Sequence, residues 1–156
     1  MPCDPADPSP STVAEPWYGE GLSFTCTQCG NCCTGPSGFV RFTNAEAKAM
    51  ADRLGLTVAD FRKRYTRQVA GRPSLTEIKR GRDYDCVFLT RDEHGKAGCS
   101  IYEVRPKQCR TWPFWPENIG SPREWADAGA TCPGMQNGGK FYPAEQVRII
   151  CDSNDP

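Results

Sequence analysis

Cys26-Thr27-Gln28-Cys29-Gly30-Asn31-Cys32-Cys33 puts four cysteines into eight positions. Two residues between cysteines let the backbone turn back so that both sulfurs reach one ion, and Gly30 and Asn31 tolerate the left-handed conformations such a turn needs. Cys86, Cys99, Cys109 and Cys132 follow. The spacing is that of a chelating loop, so the chain is expected to organise around metal. Neighbouring side chains point to opposite faces of a strand and about 100° apart on a helix. Cys32 and Cys33 are therefore expected to diverge and to serve two neighbouring ions, or different irons of a cluster. Eight thiolates divide evenly into two four-sulfur sites, giving about two metal centres.

Composition agrees with a fold that needs staples. The 156 residues suit one domain, but only 38% are hydrophobic, mean hydropathy is −0.61, and there are 15 Gly and 14 Pro. Such a chain buries a thin apolar core, and cysteines compensate either as disulfides or as metal ligands. Met1-Pro2-Cys3-Asp4-Pro5 has neither the basic start nor the apolar stretch of a secretory signal, so a soluble cytoplasmic location is expected. Thiols there stay reduced, which favours metal over disulfide. Nineteen basic residues balance nineteen acidic ones. Metal ions are the expected partners; neither nucleic acid nor membrane is suggested by the charge.

Outward from the cysteine run, residues 1–20 are rich in Pro, Asp and Ser and read as a disordered tail, leaving 21–151 as the metal-binding domain. Cys3 in that tail is read as an unliganded thiol, and Cys151 receives no role. Thr43-Asn44-Ala45-Glu46 is a capping box for a helix to about Leu54, closed by Gly55; Thr57 starts a second helix carrying Phe61 and Tyr65. This helical hairpin is expected to cover the metal site with Ala49, Met50, Leu54 and Phe61. Leu75–Ile78, Cys86–Leu89 and Gly98–Tyr102 are β-prone and predict a small antiparallel sheet, with 92–96 as a polar connection. His94, the only histidine, sits in that connection and is expected to be solvated, which excludes zinc sites needing two histidines. Pro106, Pro122 and Pro143 each suit the start of a further short helix. The expected class is α+β: small, irregular and loop-rich, built around a cysteine metal cluster.

The second informative stretch runs from Gly98 to Phe114 and contains Cys99 and Cys109. Four thiolates on a divalent ion leave a net charge near minus two, which Arg105 or Arg110 is placed to offset. Trp112, Phe114 and Trp115 read as an apolar lid. Together with Asp85-Cys86-Val87-Phe88-Leu89 and Cys132-Pro133-Gly134, these motifs make residues 24 to 135 resemble the YkgJ-type cysteine-cluster family. Its hallmark is CxxCxxCC, and its members are described as zinc- or iron-chelating. The resemblance implies metal chelation by Cys26, Cys29, Cys32, Cys33, Cys86, Cys99, Cys109 and Cys132. Three readings stay open: a structural or chelating protein without catalysis; an iron-sulfur or redox accessory protein, since Cys26, Cys29 and Cys32 share the C-x2-C-x2-C spacing of ferredoxins; and a metal-dependent protein-modifying enzyme. The last follows from a similar cluster in flagellin lysine N-methylases, but no Gly-rich loop for a nucleotide-like cofactor accompanies it here. Zinc and iron both accept all-thiolate sites.

Overall fold

The computed structural model describes residues 14–136 and 138–154. In chain order the elements are β1 (Leu22–Phe24), β2 (Thr34–Gly35), α1 (Asn44–Leu54), α2 (Val58–Tyr65), β3 (Thr66–Val69), β4 (Arg72–Leu75), β5 (Glu77–Arg80), β6 (Asp83–Cys86), β7 (Leu89–Arg91), β8 (Ala97–Cys99), α3 (Lys107–Arg110), α4 (Pro116–Ile119), α5 (Pro122–Gly129), β9 (Lys140–Tyr142) and α6 (Ala144–Asp152). The class is α+β. Among the described residues there are, instead of one small sheet, four antiparallel groups: β1–β9, β2–β6–β5, β3–β4 and β7–β8. Among the described residues no helix is long and apolar enough to cross a membrane. The chain divides into two compact units, one formed by 28–110 and the other by 14–27 with 111–154.

In the unit over 28–110, α1 begins where the capping box dictates. The Thr43 amide donates to Glu46 Oε2 at 2.8 Å and the Glu46 amide to Thr43 Oγ1 at 3.1 Å. Gly55 ends the helix at φ 68, where a side chain would be strained. Thr57 Oγ1 accepts the Asp60 amide at 3.1 Å and starts α2. The buried face of α1 is Ala47, Met50 and Ala51, which with half-buried Leu54 makes an i, i+3, i+4, i+7 seam. Ala49 lies off that seam and is only half-buried. Met50 and Phe61 are fully buried with Leu75, Phe88 and Ile101, and the Phe61 and Phe88 rings stack at 6.4 Å.

The expected strand at 75–78 breaks at Thr76, and the one at 86–89 breaks at Val87 and Phe88. Register places Glu77 opposite Cys86, both Ile78 and Thr34 opposite Asp85, and Leu89 opposite Cys99. Between β7 and β8 the chain turns on Asp92, whose Oδ1 accepts the amides of His94 at 2.9 Å and Lys96 at 2.8 Å. These hairpins put Cys86 and Cys99 at strand ends.

In the other unit, β1 pairs with β9 and brings Leu22 opposite Tyr142, some 120 positions away. Tyr18, Leu22, Phe24, Phe114, Ile119, Cys132, Val147 and Cys151 form its core. Ser121 caps α5, with Pro122 in the first turn. Of the expected tail, residues 1–13 lie outside the described residues, Cys3 with them. The packed chain already begins before residue 21. Pro16 to Gly21 turns on two backbone hydrogen bonds, the Trp17 indole donates to the Ile119 carbonyl at 2.7 Å, and Tyr18 is buried.

Removing the ring at the centre of the α1–α2 core in Phe61→Ala should cost about 3–5 kcal/mol through lost burial and an unfilled cavity. Equilibrium denaturant unfolding checks this; a loss under about 1 kcal/mol would mean that this core does not carry the unit.

Candidate metal centre

The loop that carries the cysteine run is shaped by two left-handed residues, Gln28 at φ 55 and Gly30 at φ 78. Asn31, which the sequence also nominated for such a conformation, instead opens a 3-10 turn over Asn31–Cys33, closed by the Cys33 amide on the Gly30 carbonyl at 3.0 Å. Gly30 is required twice over. A Cβ there would come within 2.7 Å of Ala97 Cβ and 3.0 Å of Leu89 Cδ1, so the loop rests directly on the β7–β8 hairpin. The Asn31 amide donates to Cys29 Sγ at 3.5 Å. The sulfurs of Cys32 and Cys33 do not diverge: they lie 3.8 Å apart. The divergence rule describes Cβ directions in regular elements. This pair lies at the junction of a 3-10 turn and β2, where rotation about each Cα–Cβ bond swings the two sulfurs together.

Five thiols of this unit act on one another. The two thiols of Cys32 and Cys33 are hydrogen-bonded, so the Cys32 thiol is lowered to about 7, chiefly by the bond from Cys33, while the Cys33 thiol is pushed up, chiefly by the same bond and by burial. Burial first, then the negative charges of Cys99, Glu77 and Cys32, raises Cys86 to about 11 against the help of the Phe88 amide. Burial also raises Cys99, and Cys109, which feels Cys86, Cys32 and Cys99. The arginines separate cleanly. Arg105 adds to the lowering at Cys32 and opposes the upward shift at Cys99 and Cys109; its guanidinium lies 3.7 Å over the Tyr102 ring and donates to the Tyr102 carbonyl at 2.9 Å. Arg110 pairs instead with Glu46 Oε1 at 3.3 Å, and the same oxygen accepts the Lys107 amide at 2.7 Å. Glu46 thus fastens the start of α3, and with it Cys109, to α1. The capping box identified Glu46, but nothing in the sequence signalled this second task.

His94 is solvent-exposed as expected, 3.4 Å from Glu93. Cys26 and Cys132 belong to the other unit. There the Thr25 amide donates to the Gly134 carbonyl at 3.1 Å, which ties the two segments that carry them. Gly134 has no room for a Cβ against the Thr25 carbonyl, so the glycine of Cys132-Pro133-Gly134 serves a close backbone approach. The Trp112 indole donates to Cys132 Sγ at 3.5 Å and packs edge-on against Trp115 at 4.9 Å, while Phe114 lies in the core of the unit. Cys151, given no role by the sequence, is disulfide-bonded and buried. The eight candidate ligands are not in disulfides.

Does this donor set fit a metal? Two thiolates on one tetrahedral zinc at about 2.3 Å from the ion are about 3.8 Å apart, and Cys32 and Cys33 meet that condition. The pair therefore fits two corners of a thiolate site. Among the described residues no group of three or more His, Cys, Asp or Glu side chains stands arranged to hold an ion. Completing a site needs further sulfurs to turn toward the pair.

Known proteins align with this chain through the same residues. The model of a family described as "CxxCxxCC: Putative zinc- or iron-chelating domain" matches residues 25–133. The chain belongs to that family. The match takes in all eight candidate cysteines. An uncharacterized protein of Methanocaldococcus jannaschii, MJ0661, is 33% identical over 99 residues, covering 62% of this chain and 48% of that protein. The chain thus spans about half the length of this curated relative. No solved structure matches. The CxxCxxCC description supports zinc or iron as the metal.

Gly30→Ala should destabilise the protein by about 1–2 kcal/mol from the left-handed backbone alone, with more from the contact on Ala97. Gly134→Ala should cost at least as much. Thermal melting checks both; unchanged midpoints would show that these glycines are not needed for close approach.

Proposed function

We propose that this chain binds zinc or iron through its thiols in a structural or chelating role, without catalysis of its own. The observation that carries the reading is the Cys32–Cys33 sulfur pair at tetrahedral-edge spacing, embedded in a group of five mutually interacting thiols. Cys32 and Cys33 would hold the ion, with Cys86, Cys99, Cys109 and Cys29 as the further donors of the same unit. Cys26 and Cys132 stay candidates on the sequence. All-sulfur donor sets suit zinc and iron, whereas magnesium and calcium prefer oxygen. A bound ion supplies cross-linking, and at such sites binding energy is folding energy. Arg105 offsets part of the negative charge that the thiolates would bring.

One contact favours an iron-sulfur version of this reading. The Asn31 amide on Cys29 Sγ is the kind of hydrogen bond that tunes the potential of such clusters. Colour separates the two, because zinc thiolates have no visible absorption and iron-sulfur clusters do.

Protein purified without added metal or oxygen should contain zinc or iron on elemental analysis; eight thiolates suffice for two centres per chain. Because the two sulfurs converge, Cys32→Ser and Cys33→Ser should disturb the same centre, giving the same altered band pattern in the cobalt-substituted protein. Loss of different centres in the two variants would restore the divergent arrangement.

A chelator, with thiols kept reduced, should abolish cooperative unfolding of the wild-type chain. A metal-free sample that melts like the native one would rule out a structural metal.

A further inference from the structure

Asp85 stands next to a candidate ligand, Cys86, yet its oxygens are already spoken for. Oδ1 accepts from Thr34 Oγ1 at 2.6 Å and from Arg91 Nη2 at 3.4 Å; Oδ2 accepts from Arg91 Nη1 at 2.6 Å, with Arg80 Nε 3.7 Å away. An ionised carboxylate offers about four lone-pair sites, and three of them take hydrogen bonds while the Arg80 guanidinium adds a longer charge contact. The Asp85 side chain is 4% exposed. Thr34 and Asp85 are each next in sequence to a thiol, and Arg91 lies on a strand paired with one that carries a thiol. Thr34 directly follows Cys33, Asp85 directly precedes Cys86, and Arg91 ends β7, whose Leu89 faces Cys99 across the hairpin.

We propose that Asp85 is the positioning residue of the metal centre: its carboxylate clamps the segments bearing Cys33 and Cys86 and, through Arg91 of the β7–β8 hairpin, the strand pair that carries Cys99, and so sets metal affinity without ligating the ion. The proposal rests on the chelating reading above. Sulfur ligands must be held to within a few tenths of an ångström. The three short strands involved, of two, four and three residues, have few ladder bonds of their own to hold them so. A charged, buried clamp supplies that rigidity, as groups one step removed from metal ligands commonly do.

The test is zinc affinity, measured by competition with a chromophoric chelator on the full reduced chain. Asp85→Asn keeps the shape and loses the charge; Thr34→Val removes a single hydrogen bond, whereas Thr34→Ser keeps the hydroxyl. Thr57→Ala, which weakens the cap of α2 away from the cysteines, controls for stability. Asp85→Asn should bind zinc 10–100-fold more weakly with unchanged stoichiometry and unchanged cobalt spectrum. Thr34→Val should follow in the same direction, Thr34→Ser should match wild type, and Thr57→Ala should stay within about threefold. If Asp85→Asn does not fold, Thr34→Val against Thr34→Ser decides alone. Asp85→Asn binding as tightly as wild type would overturn the proposal, and so would a cobalt spectrum showing a lost donor, which would make Asp85 a ligand. Wild-type protein that takes up neither zinc nor cobalt would instead bring down the chelating reading, and this proposal with it.

Discussion

The Asp85 carboxylate, held by Thr34 and Arg91 with Arg80 nearby, is the interaction on which the arrangement of the cysteine-bearing strands depends. No strand of the β2–β6–β5 group is longer than four residues, so backbone ladders cannot specify their own alignment against one another. A carboxylate that accepts from the segment before it and the hairpin after it does specify it. Hydrogen bonds to a charged group are about twice as strong as neutral ones, and inside a poorly solvated site the alternative is an unpaired charge. The same device recurs on a smaller scale at Glu46, where one oxygen closes the α1 cap and the other fastens α3. Polar clamps thus do what a larger apolar core does elsewhere.

Features written in local chemistry were legible before any coordinates. Thr43 with Glu46, Thr57, Ser121 and Gly55 mark helix ends because a cap satisfies orphan backbone groups within three or four residues. The cysteine spacing and the solvated place of His94 were equally local. What escaped was non-local. Three-residue strands β1 and β9 carry no readable period, and their partnership spans most of the chain. Ala47 rather than Ala49 faces the core because the seam is set by what α1 packs against, and Tyr18 is buried although a Pro- and Asp-rich stretch precedes it.

The candidate site divides the same way. That the cysteines are the candidate donors was legible; how the sulfurs of Cys32 and Cys33 face one another was not. Rules for side-chain direction assume a regular α-helix or strand, and Cys32 and Cys33 are the last two residues of a single 3-10 turn. Arg105 and Arg110 looked equivalent in sequence, five positions apart. The fold separates them because Glu46, contributed by α1, claims Arg110 and leaves Arg105 facing the thiols.

The long separation between β1 and β9 has a consequence for synthesis on the ribosome. The stretch over 28–110 is contiguous, whereas the other unit needs β9, some thirty residues further on, before its strand pair can close. At about 5–20 residues per second that is a delay of about 2–6 s. Closing so long a loop is also entropically slower than forming the nearby hairpins. A nascent chain therefore carries its CxxC loop, Cys86, Cys99 and Cys109 before Cys132 and β9 have been made.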